Sequence, residues 1–389
     1  MRGIWTLLED GQPVREGGID LDMLAPGHTM KLELPFSEGE KEQLLEFSFR
    51  LKEKTAYADA GYEIASEQFV LGSFEAPVLP ESAENGLTGP LRTERTDSAA
   101  TVFGQDFEYI FDLLHGELTG MKRKEKELLA APLRQYFFRA PTDNDIGIVG
   151  PTRPGYANLW KDNGLDRLTA RNLKLPEIIT EADRVVLRFW QRFGANPFPP
   201  VLDTETVFTV YADGTLDTEV RYQPLETPYI KENFYWPRLG FTLSLPKTCD
   251  GIRWYGRGPG ENYSDRCSAS NIGWYYRKLA ELHTGYSRMQ ENGARTDVRR
   301  MDAEGEEGSV VFEALSAPFT FTAHDYTTEA LTAAWHEYQL ERADAAVIHI
   351  DAAQAGLGSN SCGPEPGKDH RPRPETVDHF SFRIRYEGC

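Results

Sequence analysis

Glu205-Thr206-Val207-Phe208-Thr209-Val210-Tyr211 alternates apolar and polar residues, and Asp213-Gly214 separates it from a second alternating run, Thr218-Glu219-Val220-Arg221-Tyr222. Side chains of a strand point to opposite faces with period two, so each run predicts a strand buried on one side. An Asp-Gly step between two such runs predicts a hairpin, because a primed turn needs positive φ and glycine adopts it without steric penalty. Working outward, the same period appears in Leu44-Leu45-Glu46-Phe47-Ser48-Phe49-Arg50-Leu51, in Val185-Val186-Leu187-Arg188-Phe189 and in His379-Phe380-Ser381-Phe382-Arg383-Ile384-Arg385-Tyr386. The 34 Gly and 24 Pro fit many short strands joined by turns. Strands do not alternate regularly with helices, which argues against a Rossmann fold or a (β/α)₈ barrel. Two helices are expected. One covers Thr328 to Leu340, with Leu331, Trp335 and Tyr338 at helical spacing and Thr327 or Thr328 as N-cap, and a short one covers Lys122 to Leu129. The fold class is all-β.

A length of 389 residues suggests at least two domains. Residues 1–76 read as a small β-sandwich. The polar, turn-rich stretch 77–95 reads as a linker, and 96–389 as one large antiparallel sheet-on-sheet sandwich. With 61 acidic against 42 basic side chains the net charge is −19. That balance argues against partners that are nucleic acids or anionic membranes, since phosphate neutralisation needs clustered Lys and Arg. The most basic stretch, Lys122-Arg123-Lys124-Glu125-Lys126, contains an acid and reads as a solvated face. Neither a membrane-length apolar run nor a signal-peptide core is recognised. Cys249, Cys267, Cys362 and Cys389 form no CxxC pair, so a reducing, cytoplasmic compartment is expected.

Gly256-Arg257-Gly258-Pro259-Gly260-Glu261-Asn262 is superficially a phosphate loop, but Glu261 stands where the last glycine belongs and Pro259 stiffens the turn. It reads better as a turn after the strand Ile252-Arg253-Trp254-Tyr255, with Glu261 and Asn262 bonding nearby backbone. Two readings stand for Phe138-Arg139-Ala140-Pro141-Thr142-Asp143-Asn144-Asp145-Ile146-Gly147. Asp143, Asn144 and Asp145 offer oxygens to sugar hydroxyls or a cation. Alternatively, an Asx-turn network with an Arg139–carboxylate pair holds a long loop. His336-Glu337 lacks the second histidine of a zinc protease motif, and His324 and His349 in strand-like runs read as structural. Trp236, Trp254, Trp274 and Trp335 suit sugar stacking, yet tryptophans in a sandwich of this size more often belong to the core.

Taken together and in order, these segments resemble one family. Arg139 to Gly147 resembles the RAP-x-DNDIG signature of the C-terminal domain of bacterial β-galactosidases of glycoside hydrolase family 2. Trp254 to Arg266 resembles that domain's W-x-G-x-GP-x-ENY-x-DR, carrying Glu261, Asn262, Asp265 and Arg266. Tyr286 and Gln290-Glu291-Asn292-Gly293, followed by Thr296-Asp297-Val298-Arg299, resemble its QENG and DVR region. Pro237-Arg238-Leu239-Gly240 and Ile350-Asp351 to Gly358 fit as well, and Trp5 to Gly11 with Ala58 to Phe69 resemble the preceding immunoglobulin-like domain.

The resemblance implies a small immunoglobulin-like sandwich followed by a supersandwich of the galactose-mutarotase type. It implies hydrolysis of terminal β-galactosides such as lactose with retention, by an enzyme whose two catalytic glutamates and Mg²⁺ lie in an upstream barrel. No catalytic residue, metal or cofactor is therefore expected in this chain. Its partners are the barrel-containing part or large subunit of the same enzyme, the galactoside substrate and further copies in an oligomer. Isolated, it is expected to be inactive. The resemblance places Asp145, Gly147 and the segment from Ile148 to Thr152 by the galactose pocket, the glycine permitting a hinge. Near the chain end the family carries a Trp sugar platform, and here Cys362 stands within one residue of it, so Asn360 and Ser361 are expected to hold the sugar by hydrogen bonds instead. Two rivals remain, an aldose epimerase using a Glu base and a His acid, and a carbohydrate-binding module without turnover.

Overall fold

A computed structural model of the chain describes residues 1–21, 25, 27–35, 39, 41–72, 74–77, 90–147, 155–226, 234–358 and 365–388. It divides into two compact units, Met1–Glu75 with Asn271–Trp274, and Ala76–Ser270 with Tyr275–Cys389. Most of the linker stretch lies outside the described residues, but Arg92–Arg95 at its end forms a strand paired with Ala99–Phe103.

In the first unit, among the described residues, four antiparallel strands run in the order Gln12–Ile19, Arg2–Glu9, Gln43–Arg50, Glu63–Val70. Trp5, Leu7, Ile19 and Leu45 form its buried cluster, with Leu34, Phe47 and Phe49 packed against it.

Among the described residues, the larger unit is built on two ten-stranded antiparallel sheets. One runs Arg295–Val298, Phe319–His324, Ala345–Gln354, Arg238–Pro246, Ala131–Tyr136, Glu117–Arg123, Phe107–Asp112, Ala99–Phe103 and Arg92–Arg95, with Lys126–Glu127 beside Glu117–Arg123. The other includes, in order, Arg184–Gly194, Leu202–Tyr211, Leu216–Pro224, His379–Gly388, Gly308–Ala314, Arg300–Gly305 and Gly251–Gly258. Their inner faces meet through aromatic side chains. Phe111 touches Phe208 at 5.3 Å between ring centres, Phe241 touches Phe382 at 5.4 Å and Trp254 touches Phe321 at 5.8 Å. The alternation along Leu202–Tyr211 is reproduced as strict alternation of buried and half-buried residues. The hairpin forms where expected, with Val210 paired with Leu216, but its turn is not a primed one: the Gly214 amide donates to the Tyr211 carbonyl at 2.9 Å and Gly214 alone takes positive φ, +83.

Both helix expectations need correction. Lys122 to Leu129 is a hairpin between Glu117–Arg123 and Lys126–Glu127, because Lys124 and Glu125 take φ +48 and +65, which a helix cannot contain. The predicted helix from Thr328 to Leu340 stops at Ala333, and Glu337–Gln339 forms a separate short turn. Leu331, Ala334 and Leu340 pack with Met289 and Tyr326, while Trp335 and Tyr338 stay 58% and 84% exposed. No helix of the described residues is long and apolar enough to cross a membrane.

Candidate functional site

The DNDIG segment forms a one-turn helix, α1 (Asp143–Ile146), beyond an irregular stretch that follows the strand Ala131–Tyr136. Thr142 is extended and caps it reciprocally. Its hydroxyl accepts from the Asp145 amide at 3.2 Å, and the Asp145 carboxylate accepts from the Thr142 amide at 2.9 Å. Gly147, at φ +64, ends it. Beneath the helix Arg139 is wholly buried. Its Nε and Nη2 donate to the two Asp145 oxygens at 3.1 and 2.8 Å, and the remaining donors reach the carbonyls of Ala355 and, at 3.0 Å, Gly356. The guanidinium also lies 5.6 Å from the centre of Trp160 on α2 (Tyr156–Asp162). Asp145 thus points inward, with both oxygens engaged.

The two neighbours of Asp145 tie α1 to other segments. Asn144 donates to the Leu357 carbonyl at 2.6 Å, and Asp143 accepts from Arg288 at 3.0 Å. Asp265 grips the other side of the same chain-end segment, accepting from the amides of Leu357 at 2.9 Å and Gly358 at 2.8 Å. A side chain at Gly356 would meet that carboxylate at 2.5 Å, so glycine permits the approach.

Glu261 works at longer range than a local turn. Its carboxylate accepts from the Gly293 amide at 2.8 Å, from Tyr286 and from Arg266. Burial raises its pKa, but the hydrogen bonds from Gly293, Tyr286, Thr284 and Arg266 outweigh that and hold it below the usual carboxylate value. Asn262 is a backbone clamp: it donates to the Gly260 carbonyl and accepts from the amide and hydroxyl of Thr296 at 2.9 and 2.6 Å. Glu291 and Asn292 complete the assembly. The Glu291 amide donates to the Ala140 carbonyl at 3.1 Å, and its carboxylate accepts from Arg238 at 2.9 Å and Gln354 at 2.8 Å. Asn292 accepts from the Thr284 amide and the Tyr326 hydroxyl. Gly293, at φ +77, lets the turn close against His324.

Four segments distant in sequence therefore converge: 139–147, 261–266, 286–293 and 355–358. Asn360, Ser361, Cys362 and the stretch from Ile148 to Thr152 lie outside the described residues. Arg238 and Asp351 lie within the stretches that match the family, where the motif assigns them no role. Both are fully buried, with Arg238 Nε 3.1 Å from Asp351 Oδ2, and burial pushes Asp351 up to about 8 against the opposing pull of Arg238. Gln354 lies in the same matching stretch as Asp351 and is likewise given no role. His324 and His349 are structural and buried, on the Asn292 carbonyl and the Thr328 hydroxyl. Among the described residues no three His, Cys, Asp or Glu side chains gather to hold a metal ion.

Residues 103–385 match the family described as Beta galactosidase small chain, and residues 1–72 match Beta-galactosidase, domain 4. The chain belongs to the beta galactosidase small chain family. Its relatives include the beta-galactosidase of Priestia megaterium, 30% identical over 363 residues, and that of Actinobacillus pleuropneumoniae, 27% identical over 361 residues. Each alignment covers 92% of this chain and 33% of the relative, so the chain spans about a third of the curated relatives it matches. Among solved structures, the galactose 1-epimerase of Lactobacillus acidophilus aligns at TM-score 0.42 and 9% identity, over 77% of this chain and 99% of that one. All four converging segments lie within the small-chain match.

Proposed function

We propose that this chain is the C-terminal part of a cytoplasmic family 2 β-galactosidase that removes terminal β-D-galactose from lactose-type substrates with retention. In the whole enzyme a carboxylate pair forms and hydrolyses a glycosyl-enzyme intermediate. That pair and the Mg²⁺ are assigned to a barrel outside this chain, and the assembled enzyme to an oligomer. This chain contributes a wall of the sugar site. The observation that carries the reading is the Arg139 clamp, which holds α1 and the 355–356 backbone with one guanidinium. With Asp265 on the Leu357 and Gly358 amides, it anchors the chain at Gly147 and Gly358, where the two segments assigned to the sugar begin. Asp145 acts from beneath, Gly147 belongs to the pocket wall, and Asn360 and Ser361 are assigned hydrogen bonds to the sugar in place of the stacking ring that Cys362 replaces.

His324 and His349 are buried with Nε2 on internal partners, so neither is placed to act as the acid of an epimerase. The test is aryl β-galactoside hydrolysis by the chain alone and mixed with a complementary barrel-containing fragment. We expect silence alone and activity on mixing. Turnover by the chain alone would place the chemistry here and reject the non-catalytic role, and an inactive but stable complex would reject the β-galactosidase reading.

A further inference from the structure

Between the helix Thr328–Ala333 and the strand Ala345–Gln354, the larger unit carries a turn that leaves its aromatic side chains at the surface. Trp335 is 58% and Tyr338 84% exposed, and His336 between them is exposed as well. We propose that this aromatic turn docks the barrel-containing part of the enzyme, a proposal that rests on the β-galactosidase reading.

Hydrogen bonds hold the turn in one shape. Gln339 Oε1 accepts from the backbone amides of Trp335 and His336 at 3.0 and 2.9 Å, and the Gln339 amide donates to the His336 carbonyl at 2.9 Å. Ala334 and Leu340 anchor its two ends in the cluster with Met289 and Tyr326. Tyr338 stacks on His336 at 5.6 Å between ring centres, and the Arg288 guanidinium lies 4.7 Å from the centre of the Trp335 ring. Both rings are therefore in place before a partner arrives, so docking loses little conformational entropy.

Composition and position select the occupant. Trp, Tyr and Arg are the residues that carry most of the energy at protein interfaces, where an aromatic centre is ringed by charge. Exposed Glu337, Glu341 and Arg342 supply that rim here. A sugar fits less well, because Arg288 already covers one face of Trp335 and His336 one face of Tyr338. Arg288 also fixes where the patch lies. It donates to Asp143 on α1 at 3.0 Å, so one side chain joins the aromatic turn to the helix that leads into Gly147. The carboxylates that act on the sugar are assigned to the barrel, so the barrel has to approach the wall built on α1. The aromatic turn is the apolar surface beside that wall, whereas a second copy of this chain has no such reason to meet it.

Binding of the full chain to a complementary barrel-containing fragment, measured by biolayer interferometry, tests the surface. Trp335→Ala should weaken binding about thirtyfold and Tyr338→Ala about tenfold, as expected of central interface aromatics. Both rings are largely exposed, so the melting temperature of the chain alone should stay unchanged, and if Trp335→Ala lowers it, Tyr338→Ala decides. Leu175→Ala, which trims an apolar side chain 81% exposed elsewhere, should leave binding unaltered. Undiminished binding by the folded variants, or no complex at all, would overturn the proposal. A dimer of the chain alone that Trp335→Ala abolishes would assign the patch to a second copy, and saturable lactose binding lost in the same variant would assign it to a sugar; either result overturns docking to the barrel. Hydrolysis of an aryl β-galactoside at saturating fragment is scored separately. Hydrolysis with binding indifferent to both variants rejects the surface alone, and a Trp335-dependent complex without hydrolysis rejects the β-galactosidase reading while the surface stands.

Discussion

Arg139 and Arg238 are both fully buried, and their surroundings treat them differently. Arg139 gives four hydrogen bonds, two to Asp145 and two to carbonyls, so its charge is matched and its donors are used. Replacing it by Met leaves the Asp145 carboxylate buried beside unpaired carbonyls. Arg139→Met should lower unfolding free energy in urea by about 3–5 kcal/mol, the usual result of orphaning one partner of a buried pair. Arg238 instead stands between two carboxylates. It bonds Glu291, while its Nε approaches Asp351 at 3.1 Å out of line for a hydrogen bond. Burial holds Asp351 at about 8, above the unfolded value of about 4, so the unfolded chain loses this proton first and stability falls as pH rises between those values. Asp351→Asn cannot ionise. Its stability relative to the parent should improve steadily from about pH 4 to about pH 8, and a constant offset would contradict the assignment. Histidine gives the opposite slope. Burial drives His324 from 6.5 down to about 3, so the unfolded chain binds the extra proton and stability is lost as pH falls below 6.5. His324→Gln should flatten that acid loss in denaturant titrations across pH.

Short elements of the site are set by single backbone positions. α1 has only four residues, too short to persist alone, and it survives through the Thr142–Asp145 capping box and the Arg139 pair. The turn at Gly293 is equally local in cause. At φ +77 an added Cβ would sit 2.5 Å from His324 Cε1 and 2.6 Å from the Leu282 carbonyl. Gly293→Ala should therefore destabilise by more than about 1 kcal/mol, whereas Gly285→Ala, with nothing within 4 Å of its Cβ, should leave the melting temperature nearly unchanged. The two helix corrections share a lesson at this scale. Lys, Arg and Glu around 122–129 favour helix by propensity, but pairing of Lys122 with Glu127 across positive-φ Lys124 and Glu125 prevails. After Ala333 the chain leaves the helix because Ala334 and Leu340 reach the Met289–Tyr326 cluster without it, and Trp335 turns outward, where Arg288 lies over its ring at 4.7 Å.

Across the whole molecule the last strand closes the larger unit. His379–Gly388 lies between Leu216–Pro224 and Gly308–Ala314, and Arg383 bridges to Asp217 while Arg385 bridges to Glu313. Deleting residues 379–388 would open a sheet at its middle and strip Phe380, Phe382 and Ile384 from the core. The shortened chain should lose its near-ultraviolet circular dichroism and fail to complement the barrel-containing fragment; a native spectrum would show that the sheets close without it. The strands were legible in the sequence because an all-antiparallel sandwich writes period-two alternation into every half-buried strand, as in Leu202–Tyr211 and His379–Gly388. The order of the motif segments was legible too, and with it the family. An Arg139–carboxylate pair was one of two readings of 139–147 and is present, with Asp145, but which carboxylate pairs and which charges are buried was not legible. Spacing from Thr142 marks Asp145 as the capping-box acid of α1, but nothing local shows that it is buried on Arg139 while Asp143, two residues earlier, faces Arg288 at the surface. Asp351 and Gln354 likewise owe their environments to Arg238 and Glu291, more than 50 residues away. The sequence determined by itself which strands form and which family this chain joins, since both depend on local pattern. Which charges are buried, which carboxylate each guanidinium takes and which aromatic rings stay at the surface was decided only by the tertiary structure, because those depend on contacts between segments that sequence spacing does not encode.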